Sequence, residues 1–329
     1  MKITTPKPLN LQRITYLTLV LICISCLDFQ FESEYEDING IYLEQIAAYD
    51  IQGEKIITDN DIGYIINANN LLIFDFTNGD SIFPLCTYTA YDYIRDFAIE
   101  RAYAYLVHNF GLEIIHTDGS SANLTGSLDL PNLHEIRIMH DRAYIISGAY
   151  RNRIEVVDVL DKANPTLIDS VLFDEVIIQI EVDSSLAYVL LANLAFYAID
   201  INDPNLTTYL LSNFLGPVFS FVPDGNFIHF SGYRNAFKLM TYTITDNNEL
   251  DKIWEIDCPA MFYRLEISGW YGLGLPGTAA IYLFELKDHA RPYIAERLEL
   301  PTSISGTIDG DYIYVLSPLK IIQIKQIEQ

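Results

Sequence analysis

Acid–base or metal chemistry in this chain would begin with six histidines: His108, His116, His134, His140, His229 and His289. They are scattered, and the separation of His134 and His140 does not suit two ligands of one metal. No His-Glu-x-x-His, Cys-x-x-Cys, Gly-x-Ser-x-Gly or phosphate-cradling glycine loop occurs. The acidic turns Asp59–Asp61 and Asp309–Asp311 lack the full ligand set of a calcium loop and suit hairpin turns. Asp158 and Asp161 belong to the end of a strand and its loop. The sequence therefore assigns no catalytic residue, no metal and no cofactor.

Two other sets of polar residues carry the functional expectation. Seven positions before a recurring aromatic stand Ile57, Asp96, Arg137, Glu181, Ser220, Arg264 and Ser305. Two acids and two arginines among apolar flanks must be paired if partly buried, because an unpaired buried charge is costly. Asp96, Arg137, Glu181 and Arg264 are thus expected to form a polar ring. The second set is a nearly repeated loop, Ser147–Arg153 (SGAYRNR) and Ser231–Asn235 (SGYRN). It offers Tyr150, Arg151, Asn152, Tyr233, Arg234 and Asn235, with Tyr93, His108, Asn109, His134 and Tyr263 expected nearby. Rigid aromatic area and forked donors suit a recognition surface.

The elements that position these residues repeat. A strand, a tight turn holding Asp, Asn or Gly, and an aromatic-led strand recur at Tyr64, Tyr103, Tyr144, Tyr188, Phe227, Tyr271 and Tyr312. The copies lie roughly 40 residues apart, a blade-like period. Each is followed by a third apolar strand, such as IEVVDV, and usually by a fourth, such as TLIDSVLF. Tyrosine (23) and phenylalanine (17) are abundant, which favours strands. The expectation is an all-β chain: a seven-bladed β-propeller of four-stranded antiparallel blades over 41–329. The final unit stops at its third strand, KIIQIK, and Ile41–Asp50 has no partner of its own. Pairing the two closes the ring and removes exposed edges. Cys86 and Cys258, on different units, are expected to be buried free thiols.

IEVVDVLDKANPTLIDS (154–170), with FYAIDINDPN (196–205) after it, resembles the LVIVD repeats of secreted or surface-exposed bacterial and archaeal propellers. That resemblance implies an extracytoplasmic propeller without a common catalytic motif. At the other end, Lys2, Lys7 and Arg13 precede an apolar run, Ile14–Ile24, that is short for a bilayer span but fits a secretion signal. Its close, Ile24-Ser25-Cys26, resembles a bacterial lipobox. Residues 1–25 are expected to be a lipoprotein signal peptide, Cys26 the lipidated residue, and 26–40 an acidic tether. The expected location is the bacterial cell envelope, at the outer membrane, with contact to lipid through the anchor alone.

Charge narrows the partners. The formal net charge is −24, and loss of the leader leaves 17 bases against 44 acids. Such a surface repels phosphate backbones, so nucleic acid is excluded as a partner. The sequence points to a monomeric, non-catalytic binding or scaffold module for a protein or glycan. The alternative is an extracytoplasmic polysaccharide-active enzyme, a hydrolase or lyase, with its site in the channel.

Overall fold

The computed structural model describes residues 41–77, 81–212, 216–245, 247–278 and 280–328. Cys26, the signal peptide and the acidic tether lie outside the described residues. The described chain forms seven four-stranded antiparallel sheets and no helix. Blades 1 to 6 run Lys55–Thr89, Asp96–Asp129, Leu133–Leu172, Ile177–Ser212, Val218–Cys258 and Arg264–Glu299. Within each, strands a to d follow chain order from the axis outwards. In blade 7, Ser305–Asp309, Tyr312–Leu316 and Ile321–Glu328 are completed by the N-terminal strand Ile41–Tyr49. That strand pairs antiparallel with the last, from Ile41 opposite Glu328 to Tyr49 opposite Ile321, with a bulge at Gln45–Ala47. The seven-bladed propeller and its closure are as the repeats require.

Alternation along each strand explains the unbroken apolar runs. In blade 3, Tyr144 and Ile146 pack towards blade 4, while Ala143 and Ile145 pack towards blade 2. Each seam holds its own apolar cluster, including that between blade 7 and blade 1, where Tyr314, Leu316 and Ile321 meet Ile56, Ile65 and Phe74. Both faces of a blade are buried, so both are mainly apolar. Where the run ends, the Asp158 carboxylate accepts the Leu160 amide at 2.8 Å. Asp161 then accepts the Ala163 amide (3.1 Å) and the Asn164 side chain (2.9 Å). These acids close Asx-type turns between strands c and d. Cys258 is buried and free, with burial pushing its thiol up to about 12. Cys86 is also free but only half-buried.

The hairpins joining strands a and b fix the alignment of the repeats. Every one has two turn residues, from Asp59↔Ile62 in blade 1 to Asp309↔Tyr312 in blade 7. Asn60, Arg101, His140, Gly225, Gly269 and Gly310 take positive φ at the first turn position, as tight hairpins demand. Counting from these turns, the buried inner position of strand b holds Tyr64, Tyr105, Tyr144, Tyr188, His229, Leu273 and Tyr314. The aromatics Tyr103, Phe227, Tyr271 and Tyr312 lie two residues earlier. The expected polar column therefore mixes two levels of the channel wall.

Candidate functional site: the channel mouth

The corrected levels are clear from strand pairing. The mouth level holds Lys55, Asp96, Glu135, Gln179, Ser220, Arg264 and Ser305; the level below it holds Ile57, Ala98, Arg137, Glu181, Val222, Glu266 and Thr307. Asp96 and Arg264 are thus mouth residues, whereas Arg137 and Glu181 sit one step deeper. Bulges at the start of strand a, at Leu133–Glu135, Ile177–Gln179 and Val218–Ser220, break the alternation. Consecutive side chains then share one mouth: His134 with Glu135, Ile178 with Gln179, Phe219 with Ser220. With Arg95, Arg151 and Tyr263 they enclose a cavity of about 330 Å³.

This mouth opens on the face formed by the d–a crossings and b–c loops. The Ile94 amide donates to the Ala68 carbonyl (2.9 Å), that of Asn132 to Asn109 (2.8 Å), and that of Ile177 to Arg151 (2.8 Å).

Mouth residues also tie blades 1 to 2, 2 to 3, 4 to 5 and 7 to 1. Asp96 Oδ2 accepts the Ile136 amide at 3.0 Å. Gln179 donates to the Phe221 carbonyl at 2.8 Å and accepts the Phe221 amide at 3.1 Å. Ser305 Oγ accepts the Ile56 amide at 3.3 Å, and Lys55 Nζ donates to the Phe97 carbonyl at 2.9 Å. At these four positions a mouth side chain reaches the backbone of the next blade.

Ion pairs crowd one side. Lys55 Nζ lies 2.7 Å from Asp96 Oδ1. Arg137 grips Glu181 with two bonds of 2.7 Å, reaches Glu135 at 3.0 Å and Asp96 at 3.4 Å. Arg151 meets the other oxygen of Glu135 at 3.3 Å. Burial pushes the Asp96 carboxyl up, but Lys55 and Arg137 outweigh it and hold it below the usual range. Burial, with Asp96 and Glu181 adding to it against Arg137, raises Glu135. Glu181 and Glu135 hold Arg137 protonated in spite of its desolvation.

The other side is different. Arg264 and Glu266 line the cavity, and among the described residues neither side chain has a hydrogen bond or ion pair. Glu266 is open to channel water yet has protein on every side. That enclosure, and then Glu181, raises its carboxyl.

At the rim, the Arg95 guanidinium meets only neutral acceptors among the described residues, His134 Nδ1 and Asn109 Oδ1. His134 Nε2 donates to the Gly148 carbonyl at 3.0 Å, leaving Nδ1 with its lone pair towards Arg95. Desolvation, then Arg95 and Arg151, lowers this imidazole and keeps it neutral at pH 7.

The two YRN loops are not equivalent. In blade 3 pairing stops at Ser147↔Arg153 and Arg151 takes positive φ. In blade 5 the hairpin runs on to Tyr233↔Phe237 and the positive φ falls on Asn235. Arg151 consequently joins the cavity, while Arg234 and Asn235 are exposed away from its lining. Tyr233 packs edge-on against Phe237, ring centroids 5.6 Å apart. Tyr150 projects at the loop tip, and Asn152 donates to the Phe173 carbonyl at 3.2 Å.

His108 is buried; its Nδ1 accepts the Phe110 and Gly111 amides at 3.1 and 3.2 Å, which makes it a loop staple. Asn109 bridges Arg95 and Asp92. Tyr93 donates to Glu54, and Tyr263 stands half-exposed beside Phe219. His229 and His289 meet around Asp224 at the far end of strand a, away from this mouth. Sequence reasoning missed Lys55, Arg95, Glu135, Gln179, Phe219 and Glu266. Counting from the two-residue turns instead of from the aromatics finds Lys55, Glu135, Gln179 and Glu266.

No family model matches the chain. No curated protein matches it either. Among solved structures, the chain is similar to the computationally designed Ika8 protein, with a TM-score of 0.61 and 9% identity. The likeness covers 86% of this chain and 98% of that one. It shows the fold alone. A fold with 1357 matching solved chains selects no function, which must come from the site.

Proposed function

We propose that this protein is a lipid-anchored, extracytoplasmic binding module that holds a protein or glycan partner at the channel mouth. One observation carries this reading. Of nine exposed aromatic side chains among the described residues, six (Tyr91, Tyr93, Phe110, Tyr150, Tyr233 and Tyr263) stand on the face bearing the mouth. Tyr42 and Phe83 lie on outermost strands and Trp270 on an opposite turn. Aromatic area around a concave, cationic mouth is a recognition surface on physical grounds. On a chain of net charge −24, Arg95, Arg151 and Arg264 attract locally what the rest repels. The likeness to LVIVD repeats and the lipobox-like Ile24-Ser25-Cys26 supports the cellular side.

A pull-down from envelope extracts tests it. Tyr150→Ala and Arg151→Ala should each reduce capture at least about fivefold, and Arg151→Ala more at low salt than at high salt. Asp161→Ala and Asp203→Ala, on the opposite face, should leave it unchanged. The reverse pattern moves the site to the other face. Cys26→Ser should release the protein from membranes, since the acyl chains supply about 0.8 kcal/mol per buried CH₂.

The polysaccharide-active enzyme is favoured by Glu266 alone, a raised carboxyl without a partner. A glycosidase needs two free carboxyl groups about 5–10 Å apart, and Arg137 occupies both oxygens of Glu181. The expected result is no reducing-end release from any polysaccharide that binds.

A further inference from the structure

Arg264 presents a guanidinium to the cavity with no acceptor among the described residues. Arginine is built for planar, two-pronged recognition of a carboxylate, so a guanidinium in a concave site that feels Glu266 only through space, with no hydrogen bond or ion pair among the described residues, marks where an anion fits. Directly before it in the chain, Tyr263 exposes 56% of its surface beside the mouth, with the Phe219 ring edge-on at 6.4 Å. Glu266, two residues on and therefore on the same side of the strand, offers acceptors that no protein donor uses. A ligand matching all three groups brings a carboxylate, an apolar face and hydroxyl donors within a few ångströms of each other. An acidic peptide loop brings the first but no hydroxyl-rich ring. A cavity of about 330 Å³ is also the size of a small-ligand pocket, not of a protein interface.

We propose that the mouth binds a carboxylated sugar, a uronic-acid unit of an acidic glycan. Arg264 takes its carboxylate, Tyr263 packs on the ring face and Glu266 accepts from its hydroxyls. Arg95, neutralised by no carboxylate, adds a second cation for the next charged unit along the chain. This rests on the reading of the mouth as a binding site and goes further by naming the ligand class.

The test titrates the full-length protein in detergent micelles with a panel of oligosaccharides. Oligogalacturonate, hyaluronan and alginate fragments form the acidic set; dextran and galactan fragments form the neutral one. At least one acidic oligomer should bind ten-fold or more tightly than every neutral one. Arg264→Ala should weaken it at least ten-fold, and Tyr263→Ala several-fold. Arg264→Lys should stay weak, because lysine keeps the charge but loses the fork. Arg234→Ala should bind as wild type, and near-identical thermal unfolding of all variants excludes misfolding.

Acidic and neutral oligomers binding alike, or Arg264→Ala binding as wild type, overturns the proposal. If no oligosaccharide binds but an envelope partner is captured and lost in Tyr150→Ala, the binding module stands and the uronate falls. If neither oligosaccharide nor partner binds, both fall.

Discussion

The two sides of the channel wall occupy equivalent strand positions yet face different neighbours. On blades 1 to 4, Lys55, Asp96, Glu135, Arg137 and Glu181 form one continuous ion-paired network, with Arg137 at its centre. On blade 6, Arg264 and Glu266 line the cavity with no hydrogen bond or ion pair among the described residues. Equal distance from the axis does not give equal roles. On the first side each charge is the solvation of another, and removing one strands its partners. On the second side Glu266 feels Arg264, Lys55 and Arg137 only through space, and no hydrogen bond or ion pair is lost when a group enters. The paired side joins four blades through its charges; the open side makes no such link.

Blade 7 stands between the open side and blade 1, and the largest effect is expected at the strand that completes it. Deleting residues 41–50 removes the strand that completes blade 7 and exposes Ile322 and Ile324 on an open edge. The midpoint of thermal unfolding should fall by about 10 °C or more, or no folded product should form. Deleting 27–38 should shift it by under about 2 °C. Equal shifts would mean that the ring does not depend on its closing strand.

Arg137→Ala should come next. Its side chain is 24% exposed and binds three carboxylates, so its loss leaves Glu135, Glu181 and Asp96 crowded without their common cation. The expected cost is about 2–4 kcal/mol in urea unfolding, less than for a fully buried pair because water reaches the site. Arg264→Ala should cost under about 0.5 kcal/mol. Similar values for the two would erase the distinction between the sides.

Much of the fold is legible from sequence because its determinants are local and repeated. The two-residue turns at Asn60-Asp61 and His140-Asp141, the apolar strand c and the missing fourth strand of the last unit each follow from nearby residues. The site is less legible because its geometry depends on offsets of one or two residues. Tyr103 and Tyr105 are both plausible anchors of strand b, and choosing the wrong one moves a charge by a level. A single extra alanine, Ala149, likewise separates two loops with the same Tyr-Arg-Asn text. Pairing across seams, such as Arg137 with Glu181, joins residues of different blades, and no spacing within a repeat encodes it.

The smallest effects concern pH, and here Asp96 on the paired side and Glu266 on the open side should respond with opposite sign. Asp96 on the paired side has a folded pKa below its ordinary 3.8. Its ionised form is favoured by folding, so its contribution is full above that value and is lost as pH falls through the lower folded one. Asp96→Asn should therefore be less stable than wild type at pH 7, with the deficit narrowing below about pH 4. Glu266 on the open side has a folded pKa above its ordinary 4.5. Folding favours its protonated form, so its contribution is full below 4.5 and is lost as pH rises through the folded value. Glu266→Gln should thus be slightly more stable than wild type at pH 7, by under about 0.5 kcal/mol given its exposure to channel water. That advantage should vanish by about pH 4. Urea midpoints measured from pH 3 to 8 resolve both. If Glu266→Gln is instead destabilised at pH 7, its carboxylate already has a partner in the folded ring, and the open side is not open.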